Sequence, residues 1–351
     1  MNEKRVRWGL LSTARINERL IPCLQSSRRN ELVAVASRSQ ARADEYAAQW
    51  NIPRAYGDYD ALVNDADIDA IYISLPNHLH CEWAVRCANA GKHVLCEKPL
   101  ALATEEVERM ADAARANNVV IQEAAMMRFH PQTEFVRDLI ASGTLGEMRL
   151  ARGVFTFTLE NESDIRFKPE MGGGGLWDVG SYCVRWFRTV LAAEPIEVFA
   201  NQVTDHHGVD VCLAAQLNFE NGMVAHFFSS MASFAHSEAD ILGTHGRIEL
   251  DLPWVNLPGR DGHVNWIRTA GARGKGTFND SAGEVEIGTQ TFENANAYQD
   301  EIESMASSIL DGAPPKIPLT DSWNNIAVIV ALLESARVGQ AIRLQALQPV
   351  A

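Results

Sequence analysis

The sequence predicts an α/β protein in two parts. A doubly wound parallel sheet is expected over residues 1–125, and an α/β domain with a mostly antiparallel sheet over residues 126–351. Three observations lead there. Short apolar runs alternate with amphipathic helical segments through the first part, the pattern of a parallel sheet covered on both faces. Beyond about residue 130 several runs alternate with period two, as strands with one covered face do. The 351 residues, 46 % hydrophobic and 22 % charged, suffice for two cores of ordinary globular composition.

VRWGLL (6–11) reads as a short buried strand, followed by a helix at 16–27. ELVAVASR (31–38) is the second strand, with a charged, Ala-rich helix at 39–50. DAIYISLP (69–76) precedes a helix at 78–90. KHVLCEKP (92–99) precedes a helix at 104–117, and VVIQEA (119–124) ends the series. Right-handed crossovers place ligands at the C-terminal ends of such strands. A helix at 131–141 stops at Gly143. Strands follow in MRLARGVFTFTL, IEVFANQVT, DVCLAAQLNFENGMVAHFFSSM and EADILGTHGRIELD, with a hairpin turn at Asn221-Gly222. The polar, Gly-rich stretch at 258–285 reads as loop and an edge hairpin. Helices near 295–311 and 321–338 close the chain.

A net charge of −14 disfavours nucleic acid and anionic membrane as partners, yet leaves room for a small anion in a local basic pocket. Six cysteines without a C-x-x-C pair read as buried thiols. The start lacks a signal-peptide core, and no apolar run is long enough to span a membrane, so a cytoplasmic setting is expected. His206-His207 lies in a polar loop without a matching ligand cluster, and no metal is expected.

Ligand chemistry is first suggested by LLSTARIN. A strand runs into a helix whose free N–H groups and positive dipole end suit a pyrophosphate. The glycines of G-x-G-x-x-G are replaced by Ser12, Ala14 and Asn17. Ser12 and Ala14 narrow the backbone approach without closing it, and Asn17 is a poorer match. Alone, the stretch is a nucleotide site or an ordinary strand-to-helix turn. The second strand ends at Ser37-Arg38 without a carboxylate. That arginine holds a 2′-phosphate or simply caps the strand in solvent. Given a nucleotide, NADP(H) is preferred over NAD(H).

Pro76 and Asn77 form a turn where a nicotinamide would lie, or merely a turn. Glu97 and Lys98 end a strand at the cleft mouth, before a Pro99 bond open to the cis form. Lys98 orients a substrate hydroxyl, or is a snorkelling strand-end lysine. In GGGGLWDVGSYC (172–183) the glycines permit close backbone packing. From 176 the pattern is helical, with Asp178 and Tyr182 at i and i+4 on one face. They position substrate hydroxyls and pass a proton as hydride moves, or form a buried pair beside a glycine hinge.

Taken in order, RWGLLSTARIN, VASRS, LPNHLH, CEKPLA, EAAMMRFHP, LGEM, IRFKPEMGGGGLWDVGSYCV and SARVGQAIRL resemble the glucose–fructose oxidoreductase/inositol dehydrogenase (Gfo/Idh/MocA) family along nearly the whole chain. The E-K-P and G-G-G-x-L-W-D-x-G-x-Y motifs are the specific ones. The resemblance implies a Rossmann domain and an α/β domain whose open, mostly antiparallel sheet often forms a subunit interface, hence a homodimer or homotetramer. The final helices would pack back on the first domain. It implies cofactor contacts from Ser12, Thr13, Ala14, Arg15, Ile16, Ser37, Arg38, Leu75, Pro76, Asn77, His80, Glu97 and Lys98.

Lys98 resembles the lysine that contacts substrate and nicotinamide, and Asp178 the substrate-binding aspartate. Tyr182 stands where many members have His. The tyrosine form looks like the branch of dihydrodiol dehydrogenase, xylose dehydrogenase, glucose–fructose oxidoreductase and anhydrofructose reductase, where it is the acid/base. Arg128 and Arg166 are implied as further substrate-binding residues. The departures are the missing glycines and Ala124-Ala125-Met126, where relatives often carry an aromatic. The implied activity is NADP(H)-dependent oxidation or reduction of a sugar, polyol or cyclic diol. The rival is a nucleotide- or sugar-sensing regulator, which need not keep Lys98, Asp178 and Tyr182 together.

Overall fold

A computed structural model describes residues 4–255, 259–270, 284–345 and 347. The alternating runs of the first part become β1 (Val6–Leu11), α1 (Asn17–Ser26), β2 (Asn30–Ala36), α2 (Gln40–Trp50), β3 (Arg54–Tyr56), α3 (Tyr59–Val63), β4 (Ala70–Ile73), α4 (His80–Asn89), β5 (His93–Glu97), α5 (Thr104–Asn117) and β6 (Ile121–Ala124). The strands are parallel, in the order β3-β2-β1-β4-β5-β6. Neighbours in sequence point to opposite faces: Leu10, Tyr72 and Leu95 enter one apolar cluster, while Leu11, Ile73 and Cys96 enter the other. Both faces are therefore buried, which is why these strands read as unbroken apolar runs. The order reverses between β1 and β4, leaving a crevice beyond their C-terminal ends. The five expected strands are present. β3 and α3, at three and five residues, are too short to show a period and add an edge the sequence did not announce.

The second sheet follows α6 (Pro131–Ala141). Its parts are β7 (Met148–Thr158), α7 (Ser181–Leu191), β8 (Pro195–Thr204), β9 (Asp210–Phe219), β10 (Val224–Ser230), β11 (Ala232–Gly243), β12 (Gly246–Leu250), β13 (Gly262–Ala270), β14 (Glu284–Phe292), α8 (Ala297–Asp311), α9 (Leu319–Val338) and β15 (Ile342–Arg343). Its nine strands run β14-β13-β12-β11-β7-β10-β9-β8-β15. Every pairing is antiparallel except β10 with β7. The β9–β10 hairpin turns at Asn221-Gly222, with Gly222 at φ 77°. β13 and β14 pair as an edge hairpin, while residues 256–258 and 271–283 lie outside the described residues.

α8 returns to the first sheet and lies on α1. There Ser27 donates to Glu303 at 2.6 Å and Arg29 to Ser307 at 2.9 Å. All six cysteines are free thiols, and five are buried. Among the described residues, no helix is long and apolar enough to cross a membrane.

Candidate active site

The crevice at the ends of β1, β4 and β5 opens into a cleft of about 890 Å³. At its nucleotide end, Ser12 occupies the first fingerprint position at φ 128°, a conformation that favours glycine. Side chains hold it there. Its hydroxyl contacts Ser74 Oγ at 2.8 Å and accepts the Ala14 N–H at 3.2 Å. Asn17 Nδ2 donates to the Ser12 carbonyl at 2.8 Å. The third fingerprint position thus carries Asn because its amide fastens the turn that a glycine would otherwise relax. α1 begins without a side-chain cap, and Ala14, Arg15 and Ile16 line the cleft beside it. An anionic group is the natural partner for such a helix end.

Arg42, in the first turn of α2, also lines the cleft, and its Nε donates to Thr13 Oγ1 at 2.9 Å. Arg38 lies exposed at the end of β2, and its charge and that of Arg42 both act on Tyr59.

At the other end, Lys98 Nζ donates to the Asp178 carbonyl at 2.8 Å and to its carboxylate at 3.2 Å. Arg166 Nε donates to the second carboxylate oxygen at 2.6 Å and is itself paired with Asp164. Burial would raise the Asp178 carboxyl, but Lys98 and Arg166 outweigh it and keep the group ionised below the usual range. The Lys98 ammonium stands 4.5 Å from the Tyr182 ring centre. Burial, reinforced by Glu97 and Asp178, pushes the Tyr182 phenol well above its ordinary value, so it stays protonated. Its hydroxyl points toward Met126 Sδ at 3.9 Å, and Phe155 packs edge-on against its ring.

Each strand end is fixed from behind. Buried His80 bridges the carbonyls of Leu75 and Pro99, both at 2.8 Å, and the Lys98-Pro99 peptide is cis. Glu97 accepts a hydrogen bond from buried Tyr72, and burial raises its carboxyl. Asn77 donates to the Gly172 carbonyl at 2.9 Å. The glycine run is required by contacts. A Cβ on Gly172, at φ 76°, would meet Leu102 at 2.7 Å, and one on Gly174, at φ 118°, would meet Asp210 at 2.1 Å. The expected helix from Leu176 opens instead as a π turn over Leu176–Gly180 before α7. Asp178 and Tyr182 still face one cleft, although not across a regular α-helical turn.

Residues 6–125 match the model of the oxidoreductase family with an NAD-binding Rossmann fold, and residues 133–249 match the GFO/IDH/MocA C-terminal domain. The chain belongs to the GFO/IDH/MocA family. D-xylose 1-dehydrogenase (NADP(+)) of Haloferax volcanii is 36 % identical over 340 residues, 96 % of this chain and 99 % of that enzyme. Trans-1,2-dihydrobenzene-1,2-diol dehydrogenase of Mus musculus is 34 % identical over 253 residues, 71 % of this chain and 76 % of that enzyme. Among solved structures, a 3-ketoreductase of Actinomadura kijaniata in complex with NADP and TDP-benzene aligns with a TM-score of 0.85 at 27 % identity, covering 95 % of this chain and 98 % of that one.

In this GFO/IDH/MocA oxidoreductase the fold brings Ala14, Arg15, Ile16, Leu75, Asn77, Glu97, Lys98, Arg166, Asp178 and Tyr182 to one cleft. Ser12, Thr13 and His80 hold residues of that surface through hydrogen bonds, and Pro76 lies between the lining residues Leu75 and Asn77. Ser37 and Arg38 are not among its lining residues. Arg128 is turned away. It is buried and donates to Thr189 at 2.6 Å and toward the Lys316 carbonyl, so its expected contact with substrate is corrected. Sequence reasoning missed Arg42, four residues after Arg38 on the helix face beside the turn, a spacing that could have signalled it. It also missed Phe155, Phe157 and Tyr298, which only the second sheet and α8 deliver to the cleft. Outside the cleft, Glu162 approaches His206 and His207, correcting the expectation that this pair has no companion ligand.

Proposed function

We propose that the protein is an NADP(H)-dependent oxidoreductase that moves hydride between nicotinamide and a carbon of a sugar, polyol or cyclic diol. Tyr182 is the acid/base, Lys98 tunes it, and Asp178 orients the substrate. The carrying observation is the convergence of these three side chains on a cleft whose far end is an uncapped helix N-terminus flanked by Arg15 and Arg42. Residues 1–125 are the nucleotide-binding part, and residues 126–351 supply the substrate wall. The NADP named for the xylose dehydrogenase and for the ketoreductase complex supports the cofactor choice. A cytoplasmic homo-oligomer joined through the open sheet face completes the reading.

Bound nicotinamide supplies or accepts the hydride. The Asp178 carboxylate, held ionised by two cations, accepts a hydrogen bond from a substrate hydroxyl and fixes the reacting carbon. The protonated Tyr182 phenol donates to the carbonyl oxygen as negative charge develops there during reduction. The phenolate left behind is stabilised by the ammonium over its ring. In oxidation the same atoms work in reverse, and the phenol must first lose its proton. Phe155, Phe157 and Ile165 give the cleft an apolar wall.

A panel of sugars and diols, assayed by nicotinamide absorbance, identifies a substrate for Tyr182→Phe. Turnover is expected to fall roughly 10²–10⁴-fold with NADP affinity intact. Turnover near wild type rejects the acid/base assignment. Tight NADP binding without turnover of any panel member favours the regulator.

A further inference from the structure

Just outside the cleft, next to its lining residue Ser163, lies a second cluster that the oxidoreductase chemistry does not use. Glu162 follows β7, while His206 and His207 form the turn between β8 and β9, more than forty positions away in the chain. One ligand atom from each lies within 4.8 Å of the others. The turn is built to hold this arrangement. Asp205 Oδ1 accepts the N–H groups of His207 at 3.0 Å and Val209 at 3.2 Å, and Gly208 turns the chain at φ 90°. The two imidazole rings lie side by side, tilted by 39° with centres 3.9 Å apart, and Phe167 flanks His207 at 5.5 Å. Nε2 of His207 is buried and has no hydrogen-bond partner among the described residues. A buried imidazole nitrogen without a protein partner calls for one, and the unprotonated nitrogen of a neutral imidazole can give its lone pair to a cation.

We propose that Glu162, His206 and His207 form a binding site for a divalent transition-metal ion, with Zn²⁺ as its representative. Two imidazoles and one carboxylate suit the borderline ions of the Zn²⁺, Co²⁺ and Ni²⁺ class, whereas Mg²⁺ and Ca²⁺ demand oxygen ligands. Bonds of about 2.0–2.2 Å draw three donors to within roughly 4 Å of one another, a small contraction of the spacing found here. Glu162 and His206 are exposed, so water completes the coordination. The ion has a structural consequence. Ser163, Asp164 and Ile165 line the cleft next to Glu162, and Asp164 pairs with the Arg166 that holds Asp178. A metal bond to Glu162 therefore staples the cleft rim to the β8–β9 turn.

The test uses the full-length, tag-free protein, stripped with chelator and titrated with Zn²⁺ against a chromophoric competitor. One ion per chain is expected, with micromolar or tighter affinity. Even outer partners of metal ligands are worth about 10–100-fold in affinity, so His206→Ala and His207→Ala should each weaken binding at least tenfold. Glu162→Gln should weaken it too, and Cys212→Ser should leave it unchanged. Co²⁺ should give visible absorption in the wild type that His207→Ala abolishes. Unchanged NADP affinity in each variant checks that the chain is folded. Absence of stoichiometric Zn²⁺ binding, or binding that survives loss of both histidines, overturns the proposal.

Discussion

Ser12 and Asn17 show how the turn at the fingerprint position is built without glycine. A non-glycine residue in a sparsely populated backbone region costs on the order of 1–3 kcal/mol. Here the Asn17 amide and the Ser74 hydroxyl offset that cost with hydrogen bonds to Ser12. The turn keeps its shape, while the charge proposed to favour NADP(H) sits on neighbouring arginines. Arg42 touches Thr13 of the turn and faces the cleft, whereas Arg38 stays at the end of β2. The proposed 2′-phosphate contact therefore depends on Arg42 at least as much as on Arg38. A charge-assisted hydrogen bond is worth about 1.5–3 kcal/mol, so Arg42→Ala should raise the NADP dissociation constant roughly 10- to 100-fold. NAD affinity should be nearly unchanged. Fluorescence titration of both cofactors measures this, and equal losses for the two would reject the role.

Among the elements, the glycine run and its π turn are held by one buried carboxylate on β9. Asp210 Oδ2 accepts the Leu176 N–H at 2.6 Å, and burial raises its carboxyl to about 7. An unfolded aspartate titrates near ~3.9. The folded state therefore binds the extra proton between these values. The stabilisation is complete below about pH 4 and is lost as pH rises through about 7. A difference of that size corresponds to on the order of 4 kcal/mol. Asp210→Asn keeps an oxygen for the Leu176 N–H and does not ionise. Its melting temperature relative to wild type should climb between pH 5 and pH 8, and a gap independent of pH would contradict the assignment. The motif GGGGLWDVGSYC displayed its glycines and its Asp–Tyr pair openly. It gave no sign of Asp210, because that contact is made by a strand whose own pattern is an ordinary alternation.

At the scale of the molecule, a buried charge network joins the first sheet to helices α7 and α9 of the second part. Arg185 on α7 pairs with Glu123 on β6 and with Asp321 on α9. Arg188 adds Asp321 at 3.1 Å and Glu194 at 2.6 Å. Burial would raise Asp321, but Arg188, Arg185 and Arg128 together hold it at about 2. Arg128, expected at the substrate, serves this network instead. Arg185→Met leaves Glu123 buried without its ion-pair partner and strips one of two arginines from Asp321, and should cost about 3–5 kcal/mol in urea unfolding. A loss below about 1 kcal/mol would show that the network is solvated in solution. The sequence by itself determined five of the six strands of the first part and the helices between them other than α3, the hairpin at Asn221-Gly222, and the motifs that place Lys98, Asp178 and Tyr182. Those depend on local period, turn residues and strand ends, which a chain carries in neighbouring residues. Tertiary structure alone decided the parallel β7–β10 pairing, the arrival of Tyr298, the turning away of Arg128 and the meeting of Glu162 with His206 and His207. Each joins residues far apart in the chain, and no local pattern records which distant groups folding will press together.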